Sequence, residues 1–287
     1  MESLTKTTNV PLAGNSGNVP SANNSGIVPS ADISENASTA DITGIGQNIP
    51  LTYDLHIHSC LSPCGDDDMT PGNIVGMASI IGLDVIAVTD HNSCKNCPAV
   101  MELAGEYGIT VLPGMELCTQ EEVHVVCLFE TLDDAMAFDA YVDAHLLRIP
   151  NNEDIFGKQQ IRDAKDELIG TYPYLLINAT DISFDSVYDL VTSYHGIMIP
   201  AHIDKDSTSL LSNLGFIPPD SHFTCAEVKN PSKKDALKKM HPYLNSVRII
   251  TNSDAHYLEH IQEATHRIHA KSKTPSDILR ALTTPPT

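Results

Sequence analysis

No tryptophan occurs among the 287 residues, and basic side chains are scarce, with 17 Lys and Arg set against 37 Asp and Glu. The resulting formal net charge of -20 repels a phosphate backbone, so general DNA or RNA binding is disfavoured. No apolar run approaches the ~20 residues that cross a bilayer. The N-terminus also lacks the basic start and apolar core of a secretory signal. Seven cysteines, an odd number, then read as reduced thiols in a cytoplasmic protein with no membrane partner. Two catalytic signatures are missing as well. Without a G-x-S-x-G elbow, a serine nucleophile is unsupported. Without a G-x-x-x-x-G-K-[ST] loop, chemistry driven by nucleoside triphosphates is unsupported. What the chain does have is thirteen histidines, and histidine is the commonest metal ligand.

Residues 1–50 are rich in Ser, Asn, Gly, Ala, Thr and Pro and carry a degenerate repeat, Ser16–Ala22 and then Ser25–Ala31. With little that is bulky to bury, this tract reads as a disordered tail. From residue 51 to 287 the texture is that of one α/β domain, in which short apolar runs alternate with helical patterns. Strands are expected at Asp54–Ile57, Val85–Thr89, Thr110–Met115, Val123–Phe129, Leu175–Asn178, Ile197–Ala201, Thr224–Val228, Val247–Thr251 and Thr265–His269. Helices are expected at Pro71–Ile81, Pro98–Tyr107, Leu132–His145, Phe184–Tyr194, Ser207–Leu214, Lys233–Lys239 and Pro275–Leu282. Residues 148–173 read as a long polar loop of the kind that often shapes a substrate site.

Five of the apolar runs end in His, Asp or Glu. His56 and His58 share one face of the first strand, Asp90-His91 follows the second, and Glu116 the third. His202 follows the run ending at Ala201, and Asp254 with His256 follows the run ending at Thr251; His124 lies inside another. In a parallel barrel the C-terminal strand ends share one rim, where these groups would converge. Converged imidazoles and carboxylates call for a divalent cation, and nitrogen and oxygen ligation of this kind suits Zn, Mn or Fe.

The same residues carry a family resemblance. Asp54-Leu55-His56-Ile57-His58-Ser59, Thr89-Asp90-His91, Gly114-Met115-Glu116, Pro200-Ala201-His202 and Asn252-Ser253-Asp254-Ala255-His256 resemble the ordered motifs of the polymerase and histidinol phosphatase (PHP) superfamily. The resemblance implies a distorted (β/α)7 TIM-like barrel with two to three metal ions. His56, His58 and Asp254 would hold one ion, and Glu116 would bridge it to a second held by His124 and His202. His91 and His256 would hold the third. The acidic residue usual five positions after the second His is replaced here by Pro63. The stretch Ser62–Asp68 looks like an insertion, and counting back from Pro71 favours Asp66, with Asp68 and Cys64 still open. Asp90 would orient a ligand rather than bind metal.

The implied activity is metal-dependent phosphoester hydrolysis by a metal-bound hydroxide. Its substrate would be a small phosphorylated molecule or a nucleotide, and His56, His58, Asp90, Glu116, His202 and Asp254 would form the catalytic set. A nuclease of the 3′-5′ exonuclease type and a metal-binding regulatory module without turnover are the alternatives. Lys205, Arg148, Lys158 and Arg162 are candidates to meet substrate phosphate. Cys94 and Cys97, a C-x-x-C pair, read as plain thiols, and so do Cys60 and Cys64.

Overall fold

The computed structural model describes residues 48–285. The expected tail lies outside the described residues as far as residue 47, and Ile49 and Pro50 already belong to the first strand. The elements run β1 (Ile49–Ile57), α1 (Pro71–Ile81), β2 (Val85–Val88), α2 (Cys97–Glu106), β3 (Thr110–Val111), β4 (Gly114–Cys118) and β5 (His124–Phe129). There follow α3 (Leu132–His145), α4 (Glu153–Phe156), β6 (Gln160–Arg162), β7 (Leu168–Thr171), α5 (Phe184–Ser193), β8 (Gly196–Pro200) and α6 (Leu210–Asn213). The chain closes with β9 (Cys225–Glu227), α7 (Lys234–Met240), β10 (Arg248–Ile250), β11 (Arg267–Ala270) and α8 (Pro275–Thr283).

Helix α1 coincides with its expected bounds because both ends are coded locally. Thr70 caps the Asn73 N–H and Pro71 occupies the first turn. Gly82, at φ +84°, returns its N–H to Ala78 and Ser79. Helix α3 starts on a similar cap, with Thr131 accepting from the Asp134 N–H. Elsewhere tertiary bonding overrides the local pattern. Leu175–Asn178 is a turn rather than a strand. The Leu175 N–H goes to the Ile149 carbonyl, and the Leu176 N–H to the Gln159 side chain. The expected strand Thr110–Met115 breaks at Pro113, which has no N–H to give a ladder, and β4 starts afresh at Gly114. The long polar loop holds α4 and the β6–β7 hairpin.

The fold is mixed α/β. The described strands form no closed sheet; they fall into four, ordered β11-β1-β2-β3, β4-β5-β8, β9-β10 and β6-β7. The expected all-parallel pattern is also corrected, since β5 runs antiparallel to both β4 and β8, and β11 antiparallel to β1. The link from β4 to β5 is a short turn, Thr119–Val123, far too short for the crossover that parallel strands need. Single contacts join the sheets at strand ends: Ile57 to Ala255, His91 to Glu116, and the Ile203 N–H to the Glu227 carbonyl. One buried cluster draws Leu55, Val85, Val126, Ile199, Cys225 and Ile250 from six different strands and rests on Ile278 and Leu282 of α8. Each such side chain contributes about 1.5–3 kcal/mol by leaving water.

Pairing between β1 and β2 shifts register between Asp54 and Ile57. As a result Leu55 joins the inner cluster while Ile57 packs outward with Ile74 of α1 and Val100 of α2. A register shift of this kind re-aims side chains; His56 lies within the shifted stretch and His58 just past it.

Candidate metal centre

Glu116 is the hub. It lies within β4, 1% exposed, and five imidazoles surround its carboxylate. His124 Nδ1 lies 2.9 Å from Oε1, His202 Nε2 3.0 Å and His56 Nε2 3.3 Å, while His91 Nδ1 lies 3.0 Å from Oε2 and His58 Nε2 3.4 Å. His124 reaches this point because the hairpin pairs it with Cys118 at the end of β4. Asp254 completes the near side, its Oδ1 3.3 Å from His58 Nε2 and 3.6 Å from His56 Nε2.

The hydrogen bonds behind these rings fix which nitrogens carry protons. His56 Nδ1 faces the Glu227 carboxylate at 3.0 Å, and so donates. The Ser62 hydroxyl gives its single hydrogen to Asp90 at 2.7 Å and therefore accepts from His58 Nδ1 at 3.0 Å. His256 Nδ1 donates to the Asp254 carbonyl at 3.0 Å. In the neutral rings each Nε2 is then a bare lone pair. Those of His56 and His58 face one another at 3.2 Å, a repulsive contact unless positive charge sits between them. Further buried atoms lack hydrogen-bond partners: Nδ1 of His91, Nδ1 of His202 and Oε2 of Glu116. His91 Nδ1 and Glu116 Oε2 lie 3.0 Å apart but not in hydrogen-bonding geometry. The donor set thus fits divalent cations, with nitrogen and carboxylate ligands suited to Zn, Mn or Fe.

Titration follows the same logic. Burial opposes charge on His56, but Glu227, Glu116 and Asp254 together hold it well above the ordinary histidine range. His124, likewise opposed by burial, is pushed up to about 10, mainly by Glu116. Burial would raise Glu116 and Asp254, yet the imidazoles hold both well below the usual carboxylate range. His58, His91 and His256 are lowered by burial and by repulsion from neighbouring imidazoles. The site favours positive charge but spreads it badly over rings, and a metal ion concentrates it.

Three groups of ligand-type atoms lie within 4.8 Å of one another: His56, His58 and Asp254; His58, His91 and His256; and His91, Glu116 and His124. The first is the triad expected from sequence. The others divide the residues differently, because His58 and His91 each face two groups, while His202 meets the cluster through Glu116. Asp66 joins none of the three; its carboxylate caps the Asp68 N–H at 2.9 Å and its own N–H donates to the His256 carbonyl. Asp68 is exposed and Cys64 lies at the surface. Cys64 keeps an exposed edge, but the protein packed around it and then the charges of Glu116, Asp90 and Asp254 push its thiol up to about 12. No cysteine enters a ligand group among the described residues.

Asp90 accepts from the N–H and hydroxyl of both Ser59 and Ser62. It thereby holds the hydroxyl that orients His58. Sequence reading missed Glu227, which is wholly buried and takes bonds from His56 Nδ1, the His202 N–H and the Asn252 amide. Its signal was an acid at the end of a sixth apolar run. Lys205 places its ammonium 3.1 Å from Asp254 Oδ2. The other candidate cations are held elsewhere: Arg148 on Asp143, Lys158 on Asp67, Arg162 on Gln160. Lys229, also missed, donates to the Ser253 carbonyl. His202 at φ +30° and Asp254 at φ +52° are non-glycine residues in the left-handed region, strain that tends to collect at functional sites.

Comparison with known proteins agrees with this geometry. A family model described as the PHP domain matches residues 54–273. An uncharacterized protein of Methanocaldococcus jannaschii is 36% identical over 76 residues, 24% of this chain and 44% of that one. The 5′-3′ exoribonuclease Rnm of Salmonella typhimurium is 33% identical over 86 residues, 28% of each chain. The matched segments thus span less than half the length of these relatives. Among solved structures, the lesion-specific endonuclease EndoQ of Pyrococcus furiosus superposes with a TM-score of 0.59 at 19% identity, over 82% of this chain and 56% of that one. PsfC of Pseudomonas syringae superposes with a TM-score of 0.51 at 15% identity, over 82% and 89%. At these identities the likeness is one of fold.

Proposed function

We propose, on the premise that this chain belongs to the PHP domain family, that it hydrolyses a phosphoester in a small phosphorylated molecule or nucleotide with two to three divalent ions. The observation that carries this reading is the convergence of the Nε2 atoms of His56 and His58, 3.2 Å apart beside Asp254 and Glu116. Divalent ions held there would supply an acidified water and neutralise charge on a phosphate. The ligands would be His56, His58, His91, Glu116, His124, His202, Asp254 and His256. The last ligand of the third ion is assigned to Asp66, with Asp68 and Cys64 as alternatives on the same loop. The chain's own contribution is orientation. Glu227 fixes the His56 ring, and Asp90 fixes His58 through Ser62. Lys205, beside Asp254, is placed to receive a phosphate oxygen.

Nuclease activity is supported equally and no longer takes second place. The sequence argued against nucleic acid except as a short nucleotide, but similar proteins include exoribonucleases and an endonuclease captured with a 27-mer duplex. Lys205 contacts Asp254, Lys229 the adjacent Ser253 carbonyl, and Lys233 the Asp204 carboxylate that also takes the Lys229 N–H; these three cations could follow a short phosphate backbone.

The test is metal content by elemental analysis together with hydrolysis of an aryl phosphate, nucleoside monophosphates and short single-stranded RNA and DNA. Wild type should carry two to three ions and be active, and the double variant His56→Ala/Asp254→Ala should lose activity by at least about 10³-fold. Preference for oligonucleotide over mononucleotide selects the nuclease reading. Tight metal binding without turnover on any of these substrates would select a regulatory module instead.

A further inference from the structure

Helix α4 buries none of its four residues, so it contributes no packing to the core. It nevertheless presents two large apolar side chains to solvent, Ile155 at 70% and Phe156 at 40% exposure. Its position is fixed all the same. Asn152 caps the Asp154 N–H, and the Asn151 amide holds the Gly157 carbonyl at 2.7 Å. Gly157 follows at φ +87°, and a Cβ there would come within 2.8 Å of the Pro63 carbonyl. Lys158 pairs with Asp67 at 2.9 Å, and the Gln160 N–H donates to the Cys60 carbonyl at 2.8 Å. The segment is pinned at several points to the loop that carries Ser62 and Asp66. That loop is tied to the histidine cluster, since Ser62 Oγ accepts from His58 and the Asp66 N–H donates to the His256 carbonyl.

Between α4 and this loop lies a cavity of about 180 Å³ walled by Pro63, Cys64, Ile155, Phe156 and Ile177. It is smaller than the roughly 300–1,000 Å³ of pockets that enclose a whole ligand, so it suits one ring of a larger molecule. We propose that this cavity is a subsite for the nucleobase of a nucleotide substrate whose phosphate lies at the histidine cluster. The inference rests on the phosphoester reading above and names its substrate class. Phe156 offers a stacking face, a mode of base recognition tolerant of sequence. A saturated chain would make no use of the flat wall.

The experiment is calorimetric binding of adenosine monophosphate and of ribose 5-phosphate to the full, metal-loaded chain. Wild type should bind the nucleotide at least about tenfold more tightly than the sugar phosphate. Phe156→Ala and Ile155→Ser should remove most of that advantage while leaving ribose 5-phosphate binding and metal content unchanged. Both side chains are exposed, so the variants should fold. Equal affinity of wild type for the two probes, no binding of either, or parallel loss for both in the variants would overturn the subsite. Failure to hydrolyse any phosphoester would overturn the catalytic reading but leave the binding ratio intact, so the two failures are separable.

Discussion

Glu227 shows how much of a metal centre can depend on a residue with no free ligand atom to offer. Its carboxylate is spent on His56, the His202 backbone and Asn252. The Glu227→Gln variant should therefore fold and keep its ligands, yet bind metal about 10–100-fold more weakly, as competition with a chelating dye would measure. An unchanged affinity would mean that His56 is oriented by packing alone. Asp84, away from the cluster, gives a test in pH. Burial would raise its carboxyl, but the Lys273 ammonium and the Thr52 N–H and hydroxyl more than offset this and lower it. A carboxylate lowered on folding stabilises above its unfolded value and loses that contribution as pH falls through the folded one. Asp84→Asn should thus cost about 1 kcal/mol at pH 7, with the gap in urea midpoint closing as pH falls below the ordinary aspartate range.

At the scale of elements, the β4–β5 hairpin brings Glu116 and His124 together, and its geometry leaves no room at Gly114. A Cβ there would stand 2.3 Å from the Cys127 carbonyl and 2.8 Å from the Leu128 side chain. Gly114→Ala should cost about 1–3 kcal/mol by overpacking, read as a lowered thermal midpoint, with a larger proportional loss of metal affinity because the ladder under Glu116 must shift. Destabilisation with metal affinity intact would separate the hairpin from the site. The register shift in β1 acts in the same direction, trading ladder regularity for the aim of two imidazoles.

For the whole molecule, ions held by the cluster would be a fastening for the fold as well as the basis of the proposed reaction. Its ligands come from β1, the ends of β2, β8 and β10, and the β4–β5 hairpin, elements divided among three separate sheets. Ions bound to the folded form alone stabilise it by about 2.7 kcal/mol at a hundredfold excess over Kd. Chelation should then lower the melting temperature by about 5–10 °C, and re-addition of Zn or Mn should restore it. A midpoint indifferent to chelator would mean that the sheets hold together without the cluster. Among the described residues no helix is long and apolar enough to cross a membrane.

Local residue patterns were enough to set the elements whose ends they code. Thr70, Pro71 and Gly82 delimit α1 without help from the rest of the chain. The same patterns marked the residues that the fold gathers into the cluster, because His56-x-His58, Asp90-His91, Glu116, His202 and Asp254-x-His256 each stand at or near the end of an apolar run. Tertiary structure alone decided how those groups are shared. Strand direction depends on which partner a strand meets, so the antiparallel β5 and the separate sheets were not legible in period or composition. The grouping of His58 with both Asp254 and His91 needed distances, since spacing along a chain says nothing about separation across a cluster. Glu227 was visible as an acid in a strand, but its role rests on the Nδ1 of a ring 171 positions away. The apolar wall of α4 was hidden for the same reason: Ile155 and Phe156 acquire meaning only when Gly157 brings them against Pro63.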